Sequence, residues 1–410
     1  MPRHRRHRRH RTREEVRSTT SGGAGHTEAA ADEAAVELAH GPAPEVEAEH
    51  EPAVDAHETA TAGHGTASTR GYETGGPEIE ATAEAMGEHM VGEMHKANLD
   101  EGFGGQYDLD HGIHYSYNYK YECESSGQAK KWKDEYRWGY NASGLFDNPQ
   151  QTGGFMDFQL KKGQSASAGI KAWLGGLTVA ECLTSVFAME YETLRAAIGD
   201  KKFDQTFGST NEVEDRAVEQ SGNRLRIAPS GATPISQYME STKAAQLAND
   251  GHHKDGVLSS KELDDTLIPG QWYYFYNHPK YLLKHPGGAW QGENSLYMGR
   301  DAAGNRLWAG LGATNKTEET MVEEMVSAYG GARDEEDERT MKERRIKNDD
   351  GTYNDSKYDP KSGEFPNKVT KQQILNDPPY TIDGTERKGG FLAIAGQQLD
   401  PDKVAALRDK

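Results

Sequence analysis

"GGLTVAECLTSVF", residues 175–187, holds one of only two cysteines in a chain of 410 residues, with an acid directly before it. Thr178 is followed three positions on by Glu181, just ahead of an apolar periodic run, which is a capping-box pattern and predicts a helix starting at Thr178. Cys182 then falls in the first turn, where the positive end of the helix dipole and free backbone N–H groups favour a thiolate. Val179, Leu183, Val186, Phe187, Leu194 and Ile198 supply a buried stripe, with Cys182 at its edge. A shorter helix is expected before it at "SASAGIKAWL", closed by Gly175 and Gly176. Free cysteine is often buried for packing alone, so a nucleophile here needs a partner from elsewhere in the chain.

A carboxylate motif downstream offers one. "IPGQWYYFYNHPKYLLKHPGGAWQGENSLYMG", residues 268–299, opens with a Pro-Gly turn and an aromatic strand. It passes through a Gly-Gly loop into "WQGEN" and a strand "SLYMG", followed by the turn "RDAAGN" and a second strand "RLWAGL". Glu293, at the start of a strand beside Gly292 and Trp290, is a carboxylate in a partly apolar place, which raises its pKa toward the range of a useful base. The alternative is a structural glutamate satisfied by backbone N–H groups.

Outward from these motifs the composition bounds the rest. Apolar residues make up 34% of the chain, too few for a core spanning all of it, so one folded domain within a polar chain is expected. A net charge of −19 disfavours nucleic-acid binding by the molecule as a whole. The cysteine count rules out a disulfide framework or a cysteine-rich zinc site. No apolar run approaches membrane-spanning length, and no Sec signal is recognisable behind the arginine-rich start.

Residues 1–100 read as a disordered leader. It starts with a basic arm, 1–13, holding seven arginines and three histidines, and continues as an acidic, low-variety stretch with Tyr72 as its only aromatic. Within it, residues 77–96 place Ile79, Met86, Met90 and Met94 on one helical face after a Pro, weakened by Gly87 and Gly92. The domain is expected from about Phe103 to residue 330, with Tyr115, Tyr117, Tyr119 and Tyr121 alternating as a strand. A chain starting near Phe103 is therefore expected to fold. Residues 331–410 read as a charged linker and loosely attached tail whose main apolar cluster is "GGFLAIAG".

Taken together, "AGIKAWLGGLTVAEC", "IPGQWYYFYN" and "AWQGENSLYMG" resemble the bacterial protein-glutamine gamma-glutamyltransferases of the spore-coat type, over roughly residues 155–330. The resemblance implies an α+β, papain-like core related to NlpC/P60 cysteine peptidases, with the nucleophile at Cys182, a carboxylate partner at Glu293 and a partly redundant carboxylate at Glu181. It implies cross-linking of protein glutamine to lysine, or deamidation, through a cysteine thioester, with protein substrates and no cofactor. Trp290 and Asn294 are the candidate substrate-binding residues. The family often carries a His shortly after the Gln-Gly-Glu-Asn strand, and this chain has Ala309 there. A cysteine peptidase or amidase on the same core, and a noncatalytic interaction protein on a relic core, are the competing readings.

The stretch between the motifs, 203–265, looks like an insertion. Its "GHHKDGVLSSKE" lacks the carboxylates of a calcium loop and reads instead as an Asp-Gly turn feeding a helix capped by Ser259 or Ser260. His252, His253, His278 and His285 lack metal-site spacing and are expected in exposed loops, so no metal is expected.

Overall fold

The computed structural model describes residues 76–97, 113–115, 139–147, 149, 156–175, 178–229, 233–253, 256–285, 290–310, 313–332, 369–376, 380–382, 385–387 and 389–410. The basic arm, the leader up to residue 75, the tyrosine alternation after Tyr115 and most of the charged run after Gly330 lie outside the described residues.

Aromatic and β-branched alternation builds a six-stranded sheet from β1 (Met239–Ser241), β2 (Trp272–Tyr276), β3 (Gly292–Arg300), β4 (Arg306–Gly310), β5 (Ala313–Thr317) and β6 (Gly390–Leu399). The strand order is β5-β4-β3-β2-β6-β1, and each neighbouring pair is antiparallel. The longer helices are α1 (Ala83–Ala97), α2 (Ala166–Gly175), α3 (Cys182–Ile198), α4 (Asp200–Phe207), α5 (Glu212–Ser221), α6 (Glu318–Gly330) and α7 (Pro401–Arg408). The fold is α+β.

Successive side chains on a strand face opposite ways, and here each face has its own core. Trp272, Leu296, Ala309 and Leu399 pack with α1, α2, α3, α4 and α7 on one face. Tyr273, Phe275, Tyr297 and Trp308 pack with Met321, Met325 and Tyr329 of α6 on the other. Every residue of α3 is buried, so it is a central helix rather than an amphipathic surface one. That burial includes Arg195, which is compensated by Glu192, Glu78 and Asp200.

Three parts of the chain do more than their composition suggests. α1 lies against α3 with Met86, Met90 and Met94 in the first core. Its approach is anchored by Glu78 and Ile79, whose N–H groups donate to the Ala196 carbonyl. The stretch 203–265 is no surface insertion: Phe203, Phe207, Leu225, Ile227 and Ile235 are fully buried, and it supplies β1. Beyond Gly330, "GFLAIAGQQL" forms β6 between β2 and β1, and α7 packs on α3.

Candidate functional site

The helix expected from Thr178 begins four residues later. Thr178–Ala180 is a strand, pairing parallel with Ile113–Tyr115 and antiparallel with Tyr140–Asn141. The Thr178 hydroxyl donates to the Trp173 carbonyl rather than capping a helix. Glu181 is the N-cap of α3 in its place, accepting from the backbone N–H groups of Leu183 at 3.1 Å and Thr184 at 2.6 Å and from the Thr184 hydroxyl at 2.8 Å. A glutamate can fill this role because its longer side chain folds back over the first turn and satisfies two otherwise unpaired donors. Cys182 is thus the first residue of α3.

The Cys182 sulfur is held between two side chains. It donates to Glu181 Oε2 at 3.5 Å and accepts from Asn294 Nδ2 at 3.1 Å. Asn294 is the third residue of β3, and its Oδ1 accepts from the Trp272 indole N–H at 3.0 Å. Trp272 pairs with Leu296, so Asn294 is its diagonal neighbour on the same face, within reach of a long aromatic side chain. The Trp272 ring in turn rests against Phe187, about one and a half turns along α3 from the thiol. Helix, strand and indole therefore converge on one sulfur.

Burial pushes the Cys182 pKa well above its ordinary value, and the charges of Glu181 and Glu293 push the same way; the Asn294 N–H donor opposes them. Burial also raises Glu181, against the downward pull of the Thr184 and Leu183 donors. Moving the proton from sulfur to an ionised Glu181 leaves one negative charge in the site before and after. The transfer therefore escapes the cost of burying a second charge.

Glu293 is elsewhere. The regular pairing of β3 with β2 places it on the face opposite Asn294, and Cys182 makes no hydrogen bond with it. Its carboxyl abuts Gly310, where a Cβ would lie 2.3 Å from Glu293 Oε1, and that oxygen has no hydrogen-bond partner among the described residues. Burial raises its pKa well above the carboxylate range, with Lys316 opposing and Glu324 and Glu181 reinforcing. Glu293 reaches the thiol through its charge. Trp290 belongs to the second core, where its N–H donates to the Tyr281 hydroxyl and its carbonyl accepts from Asn277. Ala309 is on the Cys182 face, paired with Leu296 and buried.

Two further expectations need correction. His278 and His285 are not exposed loop residues but are 2% and 5% exposed. His278 packs against the Tyr329 ring and accepts from the Lys280 N–H, and His285 packs against Tyr281 with its Nε2 3.3 Å from the Tyr329 carbonyl oxygen, so each imidazole has both an apolar face and a polar partner. The free first-turn N–H groups expected to favour a thiolate include donors that Glu181 already occupies. Ser259 does cap its helix, in a capping box with Glu262. Among the described residues no group of His, Cys, Asp and Glu is arranged to hold a metal ion, and no helix is long and apolar enough to cross a membrane.

Sequence reasoning missed Trp272. It was visible only as one of five consecutive strand residues, and its link to Asn294 depends on the register between β2 and β3.

No curated protein matches the chain. The solved structures include a similar one, the transglutaminase from Geobacillus stearothermophilus (without C-terminal extension), at 14% identity and a TM-score of 0.39, covering 78% of this chain and 93% of that one. Residues 148–348, which hold both Cys182 and Glu293, match the family described as protein-glutamine gamma-glutamyltransferase, so this stretch, just under half of the chain, is a transglutaminase domain.

Proposed function

We propose that Cys182 is the nucleophile of this transglutaminase domain and that Glu181 is its immediate proton acceptor. The observation that carries the reading is the placement of the sulfur at the first residue of α3, donating to Glu181 and accepting from Asn294. In the first half-reaction the thiol proton passes to Glu181 as sulfur attacks the carboxamide carbon of a protein glutamine. The tetrahedral intermediate collapses, the C–N bond breaks, and the departing nitrogen takes the proton from Glu181 and leaves as ammonia. A thioester remains on Cys182.

In the second half-reaction a lysine ε-amine attacks that thioester. Its excess proton passes to Glu181 and from there to the departing sulfur as the C–S bond breaks, so an isopeptide bond forms and the thiol and ionised Glu181 are regenerated. Water as acceptor gives glutamate by the same steps. The raised basicity of Glu181 suits it to take a proton from a thiol whose own pKa is raised. Glu293 acts at longer range: ionised, it opposes the thiolate, and held protonated by burial it removes that opposition. Trp290 keeps the β3 entry rigid from the second core.

The test is incubation of the full chain with casein and a labelled primary amine, with ammonia release followed in parallel. Wild type incorporates the amine and releases ammonia in step. Incorporation by Cys182→Ala would remove Cys182 as nucleophile, and peptide-bond cleavage without amine transfer would favour the peptidase reading.

A further inference from the structure

We infer that Trp272 is a positioning residue that locks the Asn294 amide with its N–H side toward sulfur, making Asn294 a dedicated donor to the Cys182 thiolate. The inference rests on Cys182 being the nucleophile and assigns what prepares it.

An indole N–H is a donor and never an acceptor. The atom of Asn294 that meets Trp272 Nε1 at 3.0 Å must therefore be the carbonyl oxygen. The atom that meets Cys182 Sγ at 3.1 Å is then the amide nitrogen, which can only donate. Rotating the amide by half a turn would set two donors against each other at Trp272 and an oxygen against the sulfur lone pairs. Trp272, Asn294 and Cys182 are all buried, so solvent offers the flipped amide little compensation. Pairing with Leu296 and contact with Phe187 fix where the indole points.

This orientation discriminates between the two states of the sulfur. A thiol is a weak acceptor and a thiolate a strong, charged one, so the Asn294 bond strengthens as the proton leaves for Glu181. A donor that tightens only on ionisation lowers the barrier to forming the nucleophile without first stabilising the resting thiol. Burial works against the thiolate even once Glu181 has taken the proton, so the Asn294 donor that favours it carries weight. The orientation of that donor is the part the fold must guarantee.

The experiment measures iodoacetamide alkylation of Cys182 against pH in the full chain, read at the Cys182 peptide by mass spectrometry, beside amine incorporation. Trp272→Phe keeps an aromatic ring against Phe187 and removes only the N–H. It is expected to move the alkylation midpoint up by about one pH unit and to slow incorporation at neutral pH roughly tenfold. Asn294→Ala is expected to raise the midpoint at least as far, and Trp272→Phe should add little in that background. A merely structural Trp272 would lower stability and leave the midpoint where it was.

An unchanged midpoint in a folded Trp272→Phe, or in Asn294→Ala should Trp272→Phe not fold, overturns the inference. Loss of incorporation in Cys182→Ser together with an unchanged midpoint in those variants would sink the positioning role alone. Retained incorporation in Cys182→Ser would sink the nucleophile as well.

Discussion

Glu190 lies midway along α3 and is 3% exposed, bordering a cavity of about 20 Å³ roofed by Met86 and Met90 of α1 and walled by Thr193, Gln271 and Gln398. Among the described residues no other ionisable side chain lines that space. Burial alone pushes its pKa up from 4.5 to about 8. In the unfolded chain the group returns to the ordinary value, so between these limits the native state holds a proton that the unfolded state has lost. The stabilisation is complete below about pH 4.5 and disappears as pH rises through about 8. Over the full window the loss approaches roughly 5 kcal/mol, with a slope of at most about 1.4 kcal/mol per pH unit. The cavity has room for about one water, which would hydrate the carboxylate, so the figure is an upper bound. Glu190→Gln substitutes a neutral group of the same shape. Urea unfolding at intervals from pH 5 to 8.5 should find the variant within about 1 kcal/mol of wild type at the acid end and roughly 3–5 kcal/mol more stable at the alkaline end. Other titrating groups are common to both proteins and cancel in the difference. Parallel pH profiles would refute the reasoning, because they would mean that Glu190 titrates normally in the native state.

Other expectations follow from the same packing. Glu181→Gln should slow amine incorporation by about 10²-fold or more, and Glu293→Gln by less, because of the two carboxylates only Glu181 touches the thiol; the reverse order in steady-state rates would make Glu293 the proton acceptor. In α1, Gly92→Ala should raise stability by up to about 1 kcal/mol, since nothing lies within 4 Å of the new methyl. Gly87→Ala should lower stability, since its Cβ would sit 2.0 Å from the Pro269 carbonyl oxygen, and thermal melts of the two variants should move in opposite directions. Deleting residues 1–102 removes three buried methionines worth about 1.5–3 kcal/mol each, comparable with the whole stability of a typical domain. A monomeric peak on size-exclusion chromatography with wild-type activity would contradict that.

The sequence carried its chemistry more plainly than its long-range geometry. Cys182 is one of only two cysteines and follows an acid, Glu293 sits in the distinctive "WQGEN", and both fall within the 148–348 match. The start of α3 was misplaced because Ser/Thr-x-x-Glu fits both a capping box and a strand whose following glutamate caps the helix; the pairing with Ile113–Tyr115 and Tyr140–Asn141 separates them. Which carboxylate touches sulfur was equally hidden, since the pleat of β3 turns Asn294 toward α3 and Glu293 away from it. α1 was recognisable by its methionine spacing, but the depth of its burial depends on surfaces that α3 and the Pro269–Gly270 turn provide. "FLAIAG" is a short apolar run in charged surroundings, and nothing local to it names β2 and β1 as its neighbours.

β6 gives the protein an order of assembly. The indole that orients the Asn294 amide belongs to β2, and one of the two strands flanking β2 ends at Leu399, about 200 residues after the thiol in the direction of synthesis. At the usual pace of translation, roughly 10–40 s separate the emergence of the sulfur from that of the strand. A nascent chain thus carries its cysteine well before it carries a finished sheet. The order of synthesis separates the thiol from one of the two strands that frame the indole holding its donor in place.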